Sequence, residues 1–265
     1  MAVDSYKTIL LEIEKHCATL KFNRPRSSNG FNEAMGSELL SALQQLASPE
    51  VRSVVITGEG PDFCIGLDPE FLKKEIEESA HLFRRTIGYL NQVVSELRRL
   101  SKPVIAAVNG KASGTGFSFA LACDFILANQ SASFSCSYIN LGLSPDGGLS
   151  YFLTRLVGPQ KASELVMTGK AISSKKALEM GIISGVVPDD RLIEEASSLA
   201  IYFASGPTLA LGRAKRLIDT SITHSLEEQL EEERQALISI AESHDYKEGL
   251  MALTEGKKKP NFKGK

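Results

Sequence analysis

The run Leu141-Gly142-Leu143-Ser144-Pro145-Asp146-Gly147-Gly148 opens directly into Leu149-Ser150-Tyr151-Phe152-Leu153-Thr154-Arg155-Leu156, which has helical spacing. Asp146 therefore stands just before the start of a helix. An acid there has two uses. It can cap the helix, because Asp in a Pro-Asp-Gly turn satisfies free backbone amides. Held near a substrate and partly desolvated, it can instead take up and return a proton, since burial moves a carboxyl pKa toward neutrality. Read locally, the cap is the default.

Two glycine-containing segments follow strands: residues 58–68, Gly58-Glu59-Gly60-Pro61-Asp62-Phe63-Cys64-Ile65-Gly66-Leu67-Asp68, and residues 109–118, Asn109-Gly110-Lys111-Ala112-Ser113-Gly114-Thr115-Gly116-Phe117-Ser118. Small residues at a strand-to-helix junction leave backbone N–H groups free to meet an incoming anion. Two such junctions facing each other make an oxyanion hole, the device needed where a carbonyl oxygen gains charge. Gly114-Thr115-Gly116 lacks the third glycine of a dinucleotide fingerprint, and the chain has no GxxxxGK[ST].

The elements that position these groups are legible in outline. Residues 6–13 and 17–22 read as a hairpin, and residues 31–47 as a helix with Met35, Leu39, Leu40, Leu43 and Leu46 on one stripe. The compact apolar runs 53–58 and 104–110 suit buried parallel strands, as do 124–128 and 182–187. Between them lie a long helical stretch, 69–100, with Ile76 among its apolar positions and Gly88 as a point of bending or division, and a shorter helix, 117–122. Strands alternating with helices give an α/β architecture. From about residue 189 the chain reads as continuous helix, with a capping box at Ser225 and Glu228 and the related Asp-x-x-Glu pattern at Asp245 and Glu248. The organisation is an α/β core over residues 1–205 and a helical region over 206–265.

Composition removes several classes of function. The 265 residues are 43% apolar with a formal net charge of -2, and the charges are interspersed, which argues against a nucleic-acid partner. The one basic cluster, Lys257-Lys258-Lys259, reads as a solvated tail. Cys17, Cys64, Cys123 and Cys136 are scattered in apolar contexts, and His16, His81, His224 and His244 form no ligand pattern, so no metal is expected. The start Met1-Ala2-Val3-Asp4-Ser5 lacks a basic leader, and no apolar run approaches a membrane span. The expectation is a cytoplasmic protein with no membrane partner.

Five elements in register give the sequence a resemblance: Asn23-Arg24-Pro25, Phe63-Cys64-Ile65-Gly66-Leu67-Asp68, residues 103–110, Cys123-Asp124 and Ala177-Leu178-Glu179-Met180-Gly181. Together they resemble the enoyl-CoA hydratase/isomerase (crotonase) superfamily along essentially the whole chain. The resemblance implies a spiral of repeated ββα units with a helical C-terminal region, assembled as a homotrimer or a dimer of trimers. It implies an acyl-CoA thioester substrate and no separate cofactor, coenzyme A being part of the substrate. By register, the backbone amides of Leu67 and Thr115 form the oxyanion hole, Thr115 standing where many members have Gly. Arg26 and Ser28 fall where CoA is gripped, and Arg24 lies beside them. Ile65, Gly66 and Leu67 fall where CoA passes; Tyr138 lines the substrate site, and Phe262 and Lys265 reach CoA of the same or a neighbouring subunit. Asp68 reads as structural.

Hydratases of this superfamily use two glutamates; by register those positions are Ser118 and Tyr138. Losing both acids should impair addition of water. Asp146 sits where the ring-epoxide phenylacetyl-CoA isomerases and Δ3,Δ2-enoyl-CoA isomerases keep an acid that moves a proton. With that register, catalysis becomes the favoured use of Asp146, and an acyl-CoA double-bond isomerase the leading function. Enoyl-CoA hydratase and a catalytically impaired acyl-CoA-binding protein remain the alternatives. A dehalogenase would need His and Trp partners; the chain has no Trp. Pocket walls are expected from residues 71–89 and 138–152.

Overall fold

The chain starts as an antiparallel hairpin, β1 (Ile9–Glu14) and β2 (Cys17–Phe22), closed by Lys15 and His16 in the left-handed region at φ 47° and 68°. The computed structural model describes residues 6–74, 79–256 and 259–265; the stretch Met1–Ser5, Ile76 and the Lys257-Lys258 pair lie outside the described residues. Helix α1 (Glu33–Leu46) follows, its first turn capped by the Asn32 side chain, which accepts from the Met35 amide at 3.0 Å. Then come β3 (Ser53–Gly58), α2 (Pro69–Lys74), α3 (Ser79–Arg99) and β4 (Val104–Val108). Helix α3 runs unbroken through Gly88, against the expectation of a bend or division there. The remainder of the core is β5 (Lys111–Ser113), α4 (Thr115–Leu121), β6 (Phe125–Asn129), β7 (Ser133–Ser135), α5 (Leu149–Thr168), β8 (Ile172–Ser173), α6 (Ser174–Glu179), β9 (Gly185–Val187) and α7 (Leu192–Ala204).

Six strands form the main sheet in the order β1-β2-β3-β4-β6-β9, parallel from β2 onward. Strands β3 and β4 read as continuous apolar runs because both faces are covered. Val54, Ile56, Val104, Ala106 and Val108 join the main core with α1 and α3. Their alternating neighbours Val55, Ile105 and Ala107 pack on Leu192, Ala196, Ala200 and Phe203 of α7. The expected strand at 182–187 is shorter than its apolar pattern: only Gly185–Val187 pairs with β6, and Ile182 and Ile183 are buried ahead of it. A second sheet, β5-β7-β8, is built of two- and three-residue strands.

Helices α8 (Thr208–Ser221), α9 (Leu226–Ala241) and α10 (His244–Glu255) complete the chain, α9 starting with the expected capping box at Ser225 and Glu228. Polar contacts bind this region to the preceding one. Lys215 meets Asp124 at 2.9 Å, Arg98 bridges Asp124 and Asp219, and Arg52 donates to Thr208 Oγ1 at 2.9 Å. Asp245 is not the cap its local pattern suggested. Ser243 caps α10, while the buried Asp245 carboxylate accepts the amides of Lys263 at 2.7 Å and Gly264 at 2.8 Å, pinning the C-terminal tail.

One close approach sets the site. A Cβ added to Gly116 would lie 1.9 Å from the Cys64 carbonyl oxygen, so only glycine lets α4 press against the 64–68 segment. Gly116→Ala is therefore expected to lose about 1–3 kcal/mol of unfolding free energy, the scale of overpacking. Urea denaturation of the variant beside the wild type measures it.

Candidate active site

Two backbone segments are brought side by side. The stretch around Cys64 adds to the small sheet: the Cys64 amide donates to Lys111 O at 3.0 Å, and Ser113 donates to Cys64 O at 2.9 Å. Two residues on, Gly66 O accepts the Phe31 amide at 2.7 Å. A trans peptide directs its N–H opposite to its C=O, so the Leu67 amide faces away from Phe31. Gly66, at φ 108°, has its Cβ direction 3.6 Å from the nitrogen of Thr115. Thr115 is the first residue of α4, and a first-turn amide has no acceptor within its own helix. The Gly66-Leu67 peptide and the Thr115 amide are thus adjacent.

Asp146 lies beside them on the wall of a cavity of about 440 Å3. The other walls include Phe83 and Ile87 from α3 and Leu143 and Tyr138, from the two chain regions expected to supply them, and Leu67 and Asn91 from outside those regions. Asp146 is the one carboxylate among the described lining residues. It does not cap α5. Gly148 holds the cap position with no side-chain bond; only the main-chain oxygen of Asp146 accepts from Leu149, at 3.0 Å. The carboxylate instead turns inward, where Oδ1 accepts from the Tyr138 hydroxyl at 2.7 Å and Oδ2 from Thr115 Oγ1 at 2.9 Å. Ser118 Oγ sits 3.0 Å from the Tyr138 hydroxyl and donates to Asp146 O at 3.0 Å.

Electrostatics give these groups different characters. Burial raises the Asp146 pKa above the usual carboxylate range, while the Tyr138 and Thr115 hydroxyls pull it part of the way back. Burial, then the neighbouring Asp146 charge, hold Tyr138 far above its ordinary pKa, so it remains a neutral donor. Burial pushes the Cys64 thiol up to about 12, which leaves it inert. Among the described residues no group of three His, Cys, Asp or Glu side chains comes together to hold a metal ion.

The expected CoA contacts divide. Ser28 O accepts the Ile65 amide at 3.2 Å, which places the loop bearing exposed Arg26 at the edge of the Ile65-Gly66-Leu67 segment. Arg24 is committed elsewhere: its guanidinium pairs with buried Asp68 and donates to Gly30 O. Asp68 in turn accepts the Glu70 amide at 2.9 Å at the start of α2, the structural role its position suggested. Phe262 and Lys265 are not brought to this cavity within the protomer. Phe262 lies over Gly249, and Lys265 O accepts from the Asp245 amide at 3.1 Å. Sequence reasoning missed the hydroxyls of Thr115 and Ser118. The available signal was that a hydroxyl residue stands at each of three positions where the chain departs from the glycine-and-two-glutamate pattern.

A partly buried carboxylate on a cavity of mixed polar and apolar lining stands next to two backbone amides in an α/β fold, the arrangement that proton transfer beside a developing oxyanion calls for. Comparison with known proteins agrees in class. The family model for enoyl-CoA hydratase/isomerase matches residues 12–265. A 1,2-epoxyphenylacetyl-CoA isomerase of Escherichia coli is 37% identical, with 97% of this chain and 98% of that protein covered. A 2,3-dehydroadipyl-CoA hydratase of the same organism is 34% identical, with 97% and 99% covered. The crystal structure of an enoyl-CoA hydratase from Polaromonas sp. JS666 superposes at a TM-score of 0.92 with 35% identity, covering 96% of this chain and 99% of that one. The chain belongs to the enoyl-CoA hydratase/isomerase family and has its crotonase fold.

The raised Asp146 pKa makes a stability prediction. Well below pH 4 the carboxyl is protonated folded and unfolded alike. As pH rises, the unfolded carboxyl ionises first, and the folded state loses stability until its own carboxyl has ionised. Asp146→Asn has no such charge. Its stability relative to wild type should therefore rise from pH 4 toward neutrality and then level, as read by thermal unfolding across pH. A difference that falls over that interval would show the folded pKa to be depressed instead.

Proposed function

We propose that the chain is an acyl-CoA double-bond isomerase in which Asp146 carries the proton. The observation behind this reading is that Asp146 is the one carboxylate among the described residues lining the cavity and both of its oxygens receive hydroxyl donors from the protein. A 3-enoyl-CoA would lie with its thioester oxygen between the amides of Leu67 and Thr115. Asp146 removes a proton from C2, the electrons move into a dienolate whose charge rests on that oxygen, and the same proton returns at C4. The double bond then lies between C2 and C3. One acid suffices because one proton leaves and one returns. The coenzyme is part of the substrate, and Arg26, Ser28, Ile65 and Gly66 are its proposed contacts, with Phe262 and Lys265 available to a neighbouring subunit.

Hydration is the second reading, supported by hydratases among the relatives. It needs one group to activate water and another to deliver the proton. Ser118 and Tyr138, at the two register positions, supply hydroxyls hydrogen-bonded to each other or to Asp146 rather than carboxylates. Asp146→Asn distinguishes a proton carrier from a structural residue. It should still bind CoA esters and lose about 100-fold or more in isomerisation of a 3-enoyl-CoA, the scale of general acid–base catalysis. Wild-type turnover in this variant, followed by absorbance and mass, would place the acid elsewhere.

The proposed assembly is a homotrimer or a dimer of trimers. Helix α9 buries none of its residues, yet Leu226, Leu230, Leu237 and Ile238 are exposed on it. An isolated helix of that length is marginal without a packed face. Light scattering at working concentration should give at least three chains per particle; a monomer would refute the assembly. Four free thiols, three of them buried, suit the reducing cytoplasm proposed as its location, and among the described residues no helix is long and apolar enough to cross a membrane.

A further inference from the structure

Three hydroxyl side chains from two different elements converge on the Asp146 residue. Thr115 and Ser118 lie one turn apart on α4 and are fully buried; Tyr138 comes from the single-turn helix Ser137–Leu141 and lines the cavity. Their protons can be counted. Thr115 gives its proton to Oδ2 and Tyr138 gives its own to Oδ1. Ser118 has a single proton to share between the Tyr138 oxygen at 3.0 Å and the main-chain oxygens of Asp146 at 3.0 Å and Gly114 at 3.4 Å. Each carboxylate oxygen thus has one lone pair used by the protein and another left over.

We infer that Thr115 and Tyr138, backed by Ser118, are positioning residues that keep the Asp146 carboxylate ionised and aimed into the cavity, and so set the pH range in which it works as a base. This rests on the reading of Asp146 as the proton carrier. A buried carboxylate with no donors would hold its proton tightly and fail as a base at neutral pH. Hydroxyl donors favour the charged form without adding a positive charge that would make the acid too weak a base. Thr115 acts from both ends: its side chain holds the base and its amide faces the place proposed for the thioester oxygen. A shift of α4 would therefore move the base and the oxyanion hole together.

Among the described residues, no titratable group other than Tyr138 lines the cavity beside Asp146. The titratable groups close to Asp146 are Tyr138 and Cys64, and both stay protonated through neutrality. The α3 wall presents Phe83, Ile87 and Asn91, the α4 side Thr115 and Ser118, and the start of α5 Gly148 and Ser150, none of which titrates.

The test is the pH profile of kcat/KM for a 3-enoyl-CoA, which reports the free enzyme's base. Wild type is compared with Tyr138→Phe, Thr115→Val, Thr115→Ser and the Tyr138→Phe/Thr115→Val pair, each as the full chain. Losing one hydrogen bond to a charged acceptor should move the acid limb upward by about one pH unit, and further in the pair. Thr115→Ser, which keeps a hydroxyl, should leave the limb in place. The position of the limb does not depend on what fraction of a variant is folded, so partial misfolding does not imitate the result. A limb unmoved in both Tyr138→Phe and Thr115→Val, while Asp146→Asn is inactive, overturns the positioning role alone. Full turnover in Asp146→Asn overturns the proton-carrier reading on which it rests.

Discussion

A carboxylate withdrawn from water loses its hydration, and it stays ionised only where the protein supplies donors in exchange. Asp146 obtains them from Tyr138 and Thr115, at 2.7 and 2.9 Å. Much of the surrounding architecture is what this pair of bonds requires. Helix α4 must start at Thr115 and press on the Cys64 segment, which Gly116 allows. The 146–148 turn must leave capping to Gly148, so that the Asp146 side chain is free to point inward. The chain from β7 must pass through a single turn that delivers Tyr138 to the same point.

On the proposed reading, the geometry differs from what the addition of water requires. Two acids acting in concert can activate water and protonate carbon. One acid with a protein donor on each oxygen is suited to carrying a proton between two carbons of a bound chain. The hydroxyls of Ser118 and Tyr138 occupy the positions that the crotonase resemblance assigns to glutamates, and the structure turns both toward Asp146. On that reading, what would be lost catalytic groups in a hydratase serve as supports for a different acid.

Long apolar runs and the main motifs were readable in the sequence because their signals are local or fixed in register. Strands β3 and β4, helix α1 and the Ser225 capping box belong to this group, as do the paired backbone segments at Leu67 and Thr115. Strands β5, β7 and β8 were not legible, since two or three residues carry no period. Asp245 and Glu248 matched a cap pattern, but the partners of Asp245 are tail amides 18 and 19 residues away, which no local window contains. Arg24 lies in sequence beside the residues assigned to CoA, but its partner is Asp68, 44 residues on. Asp146 illustrates the limit best. Its local context argued for a cap, and only the fold shows the carboxylate bonded to Thr115, 31 residues earlier.

The central claim, that one carboxylate lifts a proton from C2 and sets it down at C4, is open to direct isotopic observation. A 3-enoyl-CoA deuterated at C2 would be converted in ordinary water, with the position of deuterium in the product read by NMR and its mass by mass spectrometry. The account predicts deuterium at C4 in part of the product from the earliest turnovers, with no gain of water. Complete loss of the label to solvent at every extent of reaction, together with a hydroxyacyl product, would contradict it.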